Sequence, residues 1–122
     1  MDKLDTVFMM QRKFMDDLEA RRKLDETPEV WVQKYTLAMI SELSELLDEV
    51  NFKWWKNAKP IDKDATKDEL VDILHFFVSM CIKMDMDADE LLSRYIAKNK
   101  ENFDRQNGLS AKAGYQSPEV NA

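Results

Sequence analysis

The sequence predicts an all-α fold, a bundle of four to five helices, and three features point that way. Only 2 Gly and 3 Pro occur among 122 residues, too few turn-formers to punctuate a many-stranded sheet. The 8 Met and the many Leu residues keep rotamer freedom in a helix. Apolar residues recur at intervals of three and four, the period of an amphipathic helix. This length fits one domain with one core, which we place at residues 1–107.

The first two predicted helices are separated by a short turn. The first covers roughly residues 3–24, and the second runs from about residue 28 to 56. Thr27 is a suitable N-cap for the second helix, because Pro28 follows it at the first helical position. The apolar ladder of the second helix includes Leu37, Ile40, Leu43, Leu47 and Val50.

The third predicted helix follows a loop at residues 57–65, which contains Pro60. Thr66 is the expected N-cap, since Glu69 lies three residues later, at the spacing of a capping box. We expect this helix to end near residue 84.

The fourth predicted helix covers about residues 87–107 and ends before Gly108. Residues 108–122 are small and polar, and we expect a flexible tail that orders only against a ligand or partner. The second helix is the longest and ends in exposed aromatic residues, which predicts a homodimer or a larger closed oligomer such as a homotetramer.

Net charge and cysteine content restrict the kinds of ligand and the compartment that fit this chain. A formal net charge of -6 opposes non-specific binding to nucleic acid. An anionic ligand therefore needs a divalent metal ion or a local cluster of Lys and Arg. The single cysteine, Cys81, excludes an internal disulfide and fits a cytoplasmic protein. No stretch of about 18 apolar residues is present, so we expect no membrane span.

Two pairs of acidic residues are the strongest candidates for chemistry. Glu42 and Glu45 lie three residues apart on the second helix, and Glu69 and Asp72 lie three apart on the third. Residues with this spacing share one helical face, so packed antiparallel helices can bring all four carboxylates together. Four close carboxylates repel unless a cation joins them, and ligation by oxygen alone suits Mg²⁺ or Mn²⁺.

Other interpretations of these acidic residues are open. Either pair taken singly is more typical of a solvated helix face than of a metal site. The two pairs together are more specific, because apolar residues flank both. Glu49 follows Glu45 by four residues and is a candidate fifth ligand, or a base that positions water. A di-iron bundle is a rival, but His75 is the only histidine, so two chains would have to share such a site.

Two basic clusters complete the set of candidate residues. Lys53 and Lys56 surround Trp54 and Trp55, a combination that fits phosphate contact and base stacking or, alternatively, a dimer interface. On the fourth helix, three residues spaced four and three apart form a polar stripe, Lys98, Asn102 and Arg105. This stripe can grip a polyphosphate, but cations also stabilise a helix C-terminus without any ligand.

Three blocks carry a resemblance to a known family: ELSELLDEVNFKWWKN at 42–57, DELVDILHFFVSM at 68–80 and YIAKNKENFDRQ at 95–106. The chain resembles the all-α NTP pyrophosphatase superfamily, in particular its dimeric dUTPase branch with the phage dCTPase and dUTPase relatives. MazG-like enzymes are more distant members. The blocks follow one another in the family's order and span most of the predicted core.

The resemblance implies Mg²⁺-dependent hydrolysis of a pyrimidine deoxynucleoside triphosphate to the monophosphate and pyrophosphate, in sanitation of the nucleotide pool. The family's metal ligands match Glu42, Glu45, Glu69 and Asp72. Its phosphate-contacting residues match Lys53, Lys56, Lys98, Asn102 and Arg105. Its residues near the nucleoside match Gln11, Trp55, His75 and Phe76. We expect Glu45 or Glu49 to orient the attacking water.

The chain departs from the family at two places. Met15 stands where the family often has Asn, which bears on how the base is bound. Seven residues separate Gln106 from Gly114 and Tyr115, more than the family usually has, which puts a role for Tyr115 in doubt. We favour dUTP as substrate, with dCTP possible. The alternatives are a broad MazG-like pyrophosphatase and a non-catalytic helical interaction protein on the same fold.

Overall fold

The structure, a computed structural model, describes residues 1–115 and is all-α over that range, as predicted. It contains four helices, which are α1 (Lys3–Arg22), α2 (Pro28–Glu49), α3 (Lys63–Lys83) and α4 (Ala88–Gln106). The chain divides into two compact units, Met1–Asp87 with α1 to α3, and a second unit that begins at Ala88 with α4. None of the helices in the described range is long and apolar enough to cross a membrane.

The core of the first unit lies around α3, because both α1 and α2 pack against it. Its buried apolar side chains come from all three helices and are Phe8, Met15, Trp31, Val78, Cys81 and Ile82. A fully buried side chain of this size contributes roughly 1.5–3 kcal/mol. Two polar side chains, Gln11 and Ser79, are buried with them, and both lie on the candidate site.

The starts of α1 and α2 are fixed by caps within a few residues. The Asp5 N–H donates to Asp2 Oδ1 at 2.8 Å and the Asp2 N–H donates to Asp5 Oδ2 at 3.3 Å, so the two residues cap each other. Thr27 accepts from the Val30 N–H at 3.3 Å, with Pro28 directly after it. The predicted cap of α2 is therefore confirmed.

The end predicted for α2 is wrong, because the helix stops at Glu49 rather than near residue 56. Asn51 takes a left-handed backbone conformation, with φ of 57°. Its side-chain amide donates to the Lys59 carbonyl at 2.8 Å and accepts from the Lys59 N–H at 2.9 Å. These two bonds close a loop where a further helical turn was expected, since a side-chain amide can replace backbone partners.

The start predicted for α3 is also wrong. Asp62 is the N-cap and accepts from the Ala65 N–H at 3.1 Å, so the cap of α3 lies four residues before the predicted one, Thr66. The Thr66 hydroxyl donates instead to the Asp62 carbonyl at 2.8 Å. Glu69 consequently lies well inside the helix, and its carboxylate is available to neighbouring helices rather than to a cap.

A partly buried ion pair ties α1 to α3. Lys83 Nζ lies 2.6 Å from Glu19 Oε1, and both side chains are less than one-fifth exposed, at 18% and 19%. The same ammonium lies 4.7 Å from the centre of the Trp31 ring, a cation–π contact. Removal of either charged group would leave the other charge partly buried and unpaired, which is destabilising. The pair therefore favours the observed packing of α1 on α3.

The second unit is held by contacts along α4 and just after it. Ion pairs four residues apart run along the helix, with 2.7 Å between Arg94 and Glu90 and 2.8 Å between Lys100 and Asp104. Beyond α4, the Tyr115 ring meets the Lys112 ammonium at 5.9 Å from the ring centre. The single domain at 1–107 stays a prediction, and residues 116–122 of the predicted tail lie outside the described range.

Candidate active site

Three carboxylates converge where α2 packs on α3. Ligand oxygens of Glu42, Glu69 and Asp72 all lie within 4.8 Å of one another. Glu42 faces α3, while Glu69 and Asp72 lie one turn apart on the facing side of α3. Three of the four predicted metal ligands are thus brought to one point by helix periodicity and by the packing of α2 on α3.

Glu45 is the fourth predicted ligand and lies beside Glu69, with which it interacts by charge and by a side-chain hydrogen bond. A hydrogen bond shared with Glu42 raises the pKa of Glu69 to about 7, and burial and the charges of Glu45 and Glu42 act in the same direction. A proton is therefore retained in this cluster near neutral pH. Glu49 is the last residue of α2 and is not among the three converging carboxylates.

The cluster has the donor set of a site for a hard divalent cation. The Oε2 atoms of Glu42 and Glu69 are shielded from solvent and have no hydrogen-bond partner among residues 1–115. Buried acceptors without donors are costly, and a cation removes that cost. Oxygen ligands alone suit Mg²⁺ or Mn²⁺, so the residues present fit such an ion.

A large cavity in the first unit adjoins the carboxylates. Its volume is about 780 Å³, which is in the range of small-molecule sites. It is lined by side chains from all three helices, which are Val7, Met10, Gln11, Phe14, Met15 and Leu18 of α1, Tyr35 and Glu42 of α2, and Val71, Asp72, Leu74, His75, Phe76, Val78 and Ser79 of α3. Two of the clustered carboxylates are therefore part of the wall of an otherwise largely apolar cavity.

The polar side of this cavity contains two predicted nucleoside residues, Gln11 and His75. Gln11 Nε2 donates to Ser79 Oγ at 2.9 Å, and Gln11 Oε1 lies 2.6 Å from His75 Nδ1. A third predicted residue, Phe76, lies 6.2 Å from the ring centre of Tyr35. Gln11, His75 and Phe76 thus line the same cavity.

Ser79 and Tyr35 were missed by the sequence analysis. Ser79 is a polar residue between the apolar residues Val78 and Met80, four residues after His75, and that interruption is the signal that points to it. Burial and the negative charge of Glu19 raise the pKa of Tyr35, while a hydrogen bond with Ser79 opposes them. Met15, at the position that departs from the family pattern, is 2% exposed and adds an apolar wall instead of an amide.

The basic and aromatic segment after α2 lies on a different, smaller cavity. Lys53 and Lys56 line a space of about 230 Å³ together with Lys59. Lys53 Nζ lies 3.7 Å from an Asp48 carboxylate oxygen in an exposed pair. Trp55 lines neither cavity, is 61% exposed, and makes an edge contact with Trp54 at 4.6 Å between ring centres. The first unit therefore does not bring these three predicted residues onto the wall of the larger cavity.

The predicted stripe on α4 is described within the second unit alone. Lys98 and Asn102 are exposed. Arg105 pairs with Glu101 on the same helix and lies 5.4 Å from the centre of the Tyr115 ring. The Arg105 Nε atom is buried without a hydrogen-bond partner in the described part of the chain. The guanidinium thus combines a local carboxylate partner with one unused donor.

The raised pKa of Glu69 predicts how stability changes with pH in the absence of metal. The pKa is about 7 in the folded chain, against an ordinary value of 4.5. Because the folded state holds the extra proton between these values, the stabilisation present below pH 4.5 is lost as the pH rises through 7. We expect the midpoint of thermal unfolding in EDTA to fall from pH 5 to pH 8. In Glu69→Gln the midpoint should fall much less over the same pH range. A fall of equal size in the variant would contradict the assignment of the raised pKa to Glu69.

The sequence is similar to a described protein family and to two phage proteins. The family model described as dUTPase matches residues 3–90. A protein named dCTP pyrophosphatase from Enterobacteria phage T4 is 35% identical over 88 residues, covering 72% of this chain and 46% of the relative. A protein of the same name from Enterobacteria phage LZ5 is 32% identical over 90 residues, covering 67% of this chain and 52% of the relative. The chain thus spans about half the length of these curated relatives, and no solved structure matches it.

Proposed function

The chain belongs to the dUTPase family, and from that membership we propose that it hydrolyses a pyrimidine deoxynucleoside triphosphate to the monophosphate and pyrophosphate. The observation that carries the proposal is the meeting of Glu42, Glu69 and Asp72 beside a cavity of about 780 Å³. A triphosphate and a nucleoside need these two environments side by side, one for charge and one for an aromatic base. Sanitation of the nucleotide pool in the cytoplasm is the role we propose for this activity, and the free Cys81 supports that compartment.

Glu42, Glu45, Glu69 and Asp72 would hold Mg²⁺, with Mn²⁺ as a substitute. When bound, the ion supplies positive charge against the phosphates and Lewis-acid polarisation of their oxygens. Glu45 and Glu49 are the carboxylates that we propose to orient the attacking water and accept its proton. The exposure of Glu45 leaves it accessible to water, and its carboxylate interacts with Glu69 of the cluster.

The cavity supports a nucleoside bound on its polar side. Gln11 and His75 offer hydrogen-bonding groups, and Phe76 offers an aromatic face. We propose dUTP as the favoured substrate and dCTP as an accepted one. The family description supports the first, and the names of the two phage relatives support the second.

Phosphate contacts are proposed for Lys53, Lys56, Lys98, Asn102 and Arg105, with Trp55 as a further nucleoside contact. What supports them is charge and the family resemblance. The net charge of -6 requires local cations wherever a triphosphate binds, since an acidic surface otherwise repels it.

A homodimer, or a homotetramer built from such dimers, is proposed as the assembly. One apolar stripe along α2 and its C-cap residue, with spacing three, four and three, stays about half exposed in the single chain. It comprises Ile40, Leu43, Leu47 and Val50, at 54%, 42%, 45% and 41% exposure. A continuous apolar stripe on a helix is typical of an interface rather than of a solvated surface.

The test of the activity is release of pyrophosphate from a panel of nucleoside triphosphates with and without Mg²⁺. We expect turnover of dUTP and dCTP with Mg²⁺ and none in EDTA, with purine nucleotides at least about tenfold slower, because hydrogen-bonding groups placed for a pyrimidine edge are left unpaired by another base. Equal rates on purines would favour the broad MazG-like alternative. Absence of pyrophosphate with every nucleotide would favour the non-catalytic interaction protein.

A further inference from the structure

Ser79 is the centre of a buried hydrogen-bond chain whose direction is fixed. Its side chain is 1% exposed. The hydroxyl donates to the His75 carbonyl at 2.8 Å, and its oxygen accepts from Gln11 Nε2 at 2.9 Å. A serine has one proton to donate and two lone pairs. The proton goes to the His75 carbonyl, so towards Gln11 the Ser79 oxygen can only accept.

The orientation of the Gln11 amide follows from this. Gln11 is 6% exposed, so water does not compete for its polar atoms. A flipped amide would set its carbonyl oxygen against a serine oxygen that has no proton left, leaving two acceptors in contact. Ser79 therefore directs the Gln11 amino group to itself and the Gln11 carbonyl to His75.

The tautomer of His75 follows in turn. Gln11 Oε1 lies 2.6 Å from His75 Nδ1, and an amide oxygen can only accept. The proton must therefore sit on Nδ1. In the neutral ring the other nitrogen, Nε2, then has a free lone pair, because the partner of one ring nitrogen decides the state of the other. His75 lines the large cavity, which is the proposed nucleoside site.

We propose that Ser79 is a positioning residue that acts through Gln11 to hold His75 as a hydrogen-bond acceptor for an N–H group of the bound base. The ligand class rests on the proposed function. Uracil offers its ring N–H and cytosine its exocyclic amine, so either pyrimidine meets the requirement through a different edge atom. Ser79 is 1% exposed, and its effect reaches the base through the hydrogen bonds of Gln11 and His75.

The alternative is that Ser79 only joins helices. A buried serine that links Gln11 of α1 and Tyr35 of α2 to α3 stabilises the unit whatever the histidine does. Loss of stability in a Ser79 variant does not distinguish the two roles, so the decisive measurement must report on the ring protons of His75.

The tautomer can be measured directly because His75 is the only histidine in the chain. Long-range ¹H–¹⁵N correlation spectra of the uniformly labelled full chain, in EDTA and at a pH where the ring is neutral, separate the two tautomers by nitrogen shift. We expect the Nδ1–H form in the unsubstituted protein. In Ser79→Ala the amide is free to flip, and we expect a substantial population of the Nε2–H form.

Two further variants keep the test decisive. Gln11→Leu removes the acceptor for the His75 Nδ1 proton while Ser79 itself is kept. It should give the same change of tautomer, and it replaces Ser79→Ala as the test if that variant fails to fold. Ser44→Ala changes an exposed serine of α2 and should leave the spectrum as it is. With the preferred pyrimidine triphosphate, we expect Ser79→Ala to raise KM about tenfold while kcat changes less than about threefold, the pattern of a lost binding contact.

The outcomes separate this inference from the proposed function. An Nε2–H ring in the unsubstituted protein, or an unchanged tautomer in both Ser79→Ala and Gln11→Leu, overturns the inference whatever the activity. A loss of kcat with unchanged KM in Ser79→Ala also overturns it. Failure of the unsubstituted chain to release pyrophosphate refutes the proposed function, while the spectra still decide the hydrogen-bond chain.

Discussion

Asp72→Asn is expected to lower kcat/KM for the pyrimidine triphosphate by at least about a thousandfold while the helix content stays unchanged. Removal of one charged ligand weakens both the hold on the divalent ion and the charge that opposes the phosphates, and losses of this size accompany such changes in polar active sites. Asp72 is exposed, so the amide brings no new buried group. Pyrophosphate release at saturating Mg²⁺ measures the loss, and circular dichroism checks the fold.

Asp68→Asn is the matched control for this substitution. Asp68 lies on the same helix one turn earlier, is exposed, and is not among the converging carboxylates. The control should retain activity within about twofold, since it removes the same charge away from the site. The rise in thermal midpoint on addition of Mg²⁺ should persist in Asp68→Asn and disappear in Asp72→Asn. More than a tenth of the original activity in Asp72→Asn would remove this residue from the metal site.

The carboxylate cluster was predictable because it depends on two regular features. Spacing of three places Glu69 and Asp72 on one face of α3, and an amphipathic helix must bury one face against a neighbour, as α2 and α3 do. The cap at Thr27 was predictable for the same reason, since it depends on residues within one turn. Local periodicity and capping chemistry are encoded in short windows of sequence.

Other features depend on partners distant in sequence, and no short window contains them. Asn51 ends α2 by forming two hydrogen bonds with Lys59, eight residues away. These bonds hold the Asn51 backbone in its left-handed conformation. Ser79 acquires its role from Gln11, at a sequence distance of 68 residues. The sequence marks both as polar residues beside apolar ones, but the direction of their hydrogen bonds comes from the packing of three helices.

The contacts of Arg105 could be predicted from the sequence only in part. Its pairing with Glu101 follows the helical spacing of four, as any exposed helix allows. The contact with Tyr115 lies beyond α4 and was not expected, since the altered spacing before Tyr115 had put its role in doubt. Its role at a phosphate remains a proposal, because only the family resemblance suggests it.

A double substitution on the apolar stripe of α2, Leu43→Lys with Leu47→Lys, is expected to dissociate the proposed homodimer. Each leucine is a little under half exposed in the single chain, at 42% and 45%, and an interface would bury the remainder. Loss of two such contacts, with two charges left against an apolar surface, amounts to about 3 kcal/mol or more, equivalent to a dissociation constant at least about a hundredfold weaker. Sedimentation velocity over a range of protein concentrations measures the change.

Ile61→Lys is the control for the interface, because Ile61 is an apolar residue with a similar exposure, 54%, but lies in the segment before α3 rather than on the stripe. It should leave the sedimentation coefficient unchanged. Both variants should keep their helix content, since neither stripe leucine belongs to the buried core. A dimer that survives the double substitution would move the interface elsewhere, and Trp54 and Trp55, at 86% and 61% exposure, are then the next residues to replace. If the monomeric variant also loses activity while its helix content stays unchanged, the carboxylate site needs the partner chain as well as its own helices.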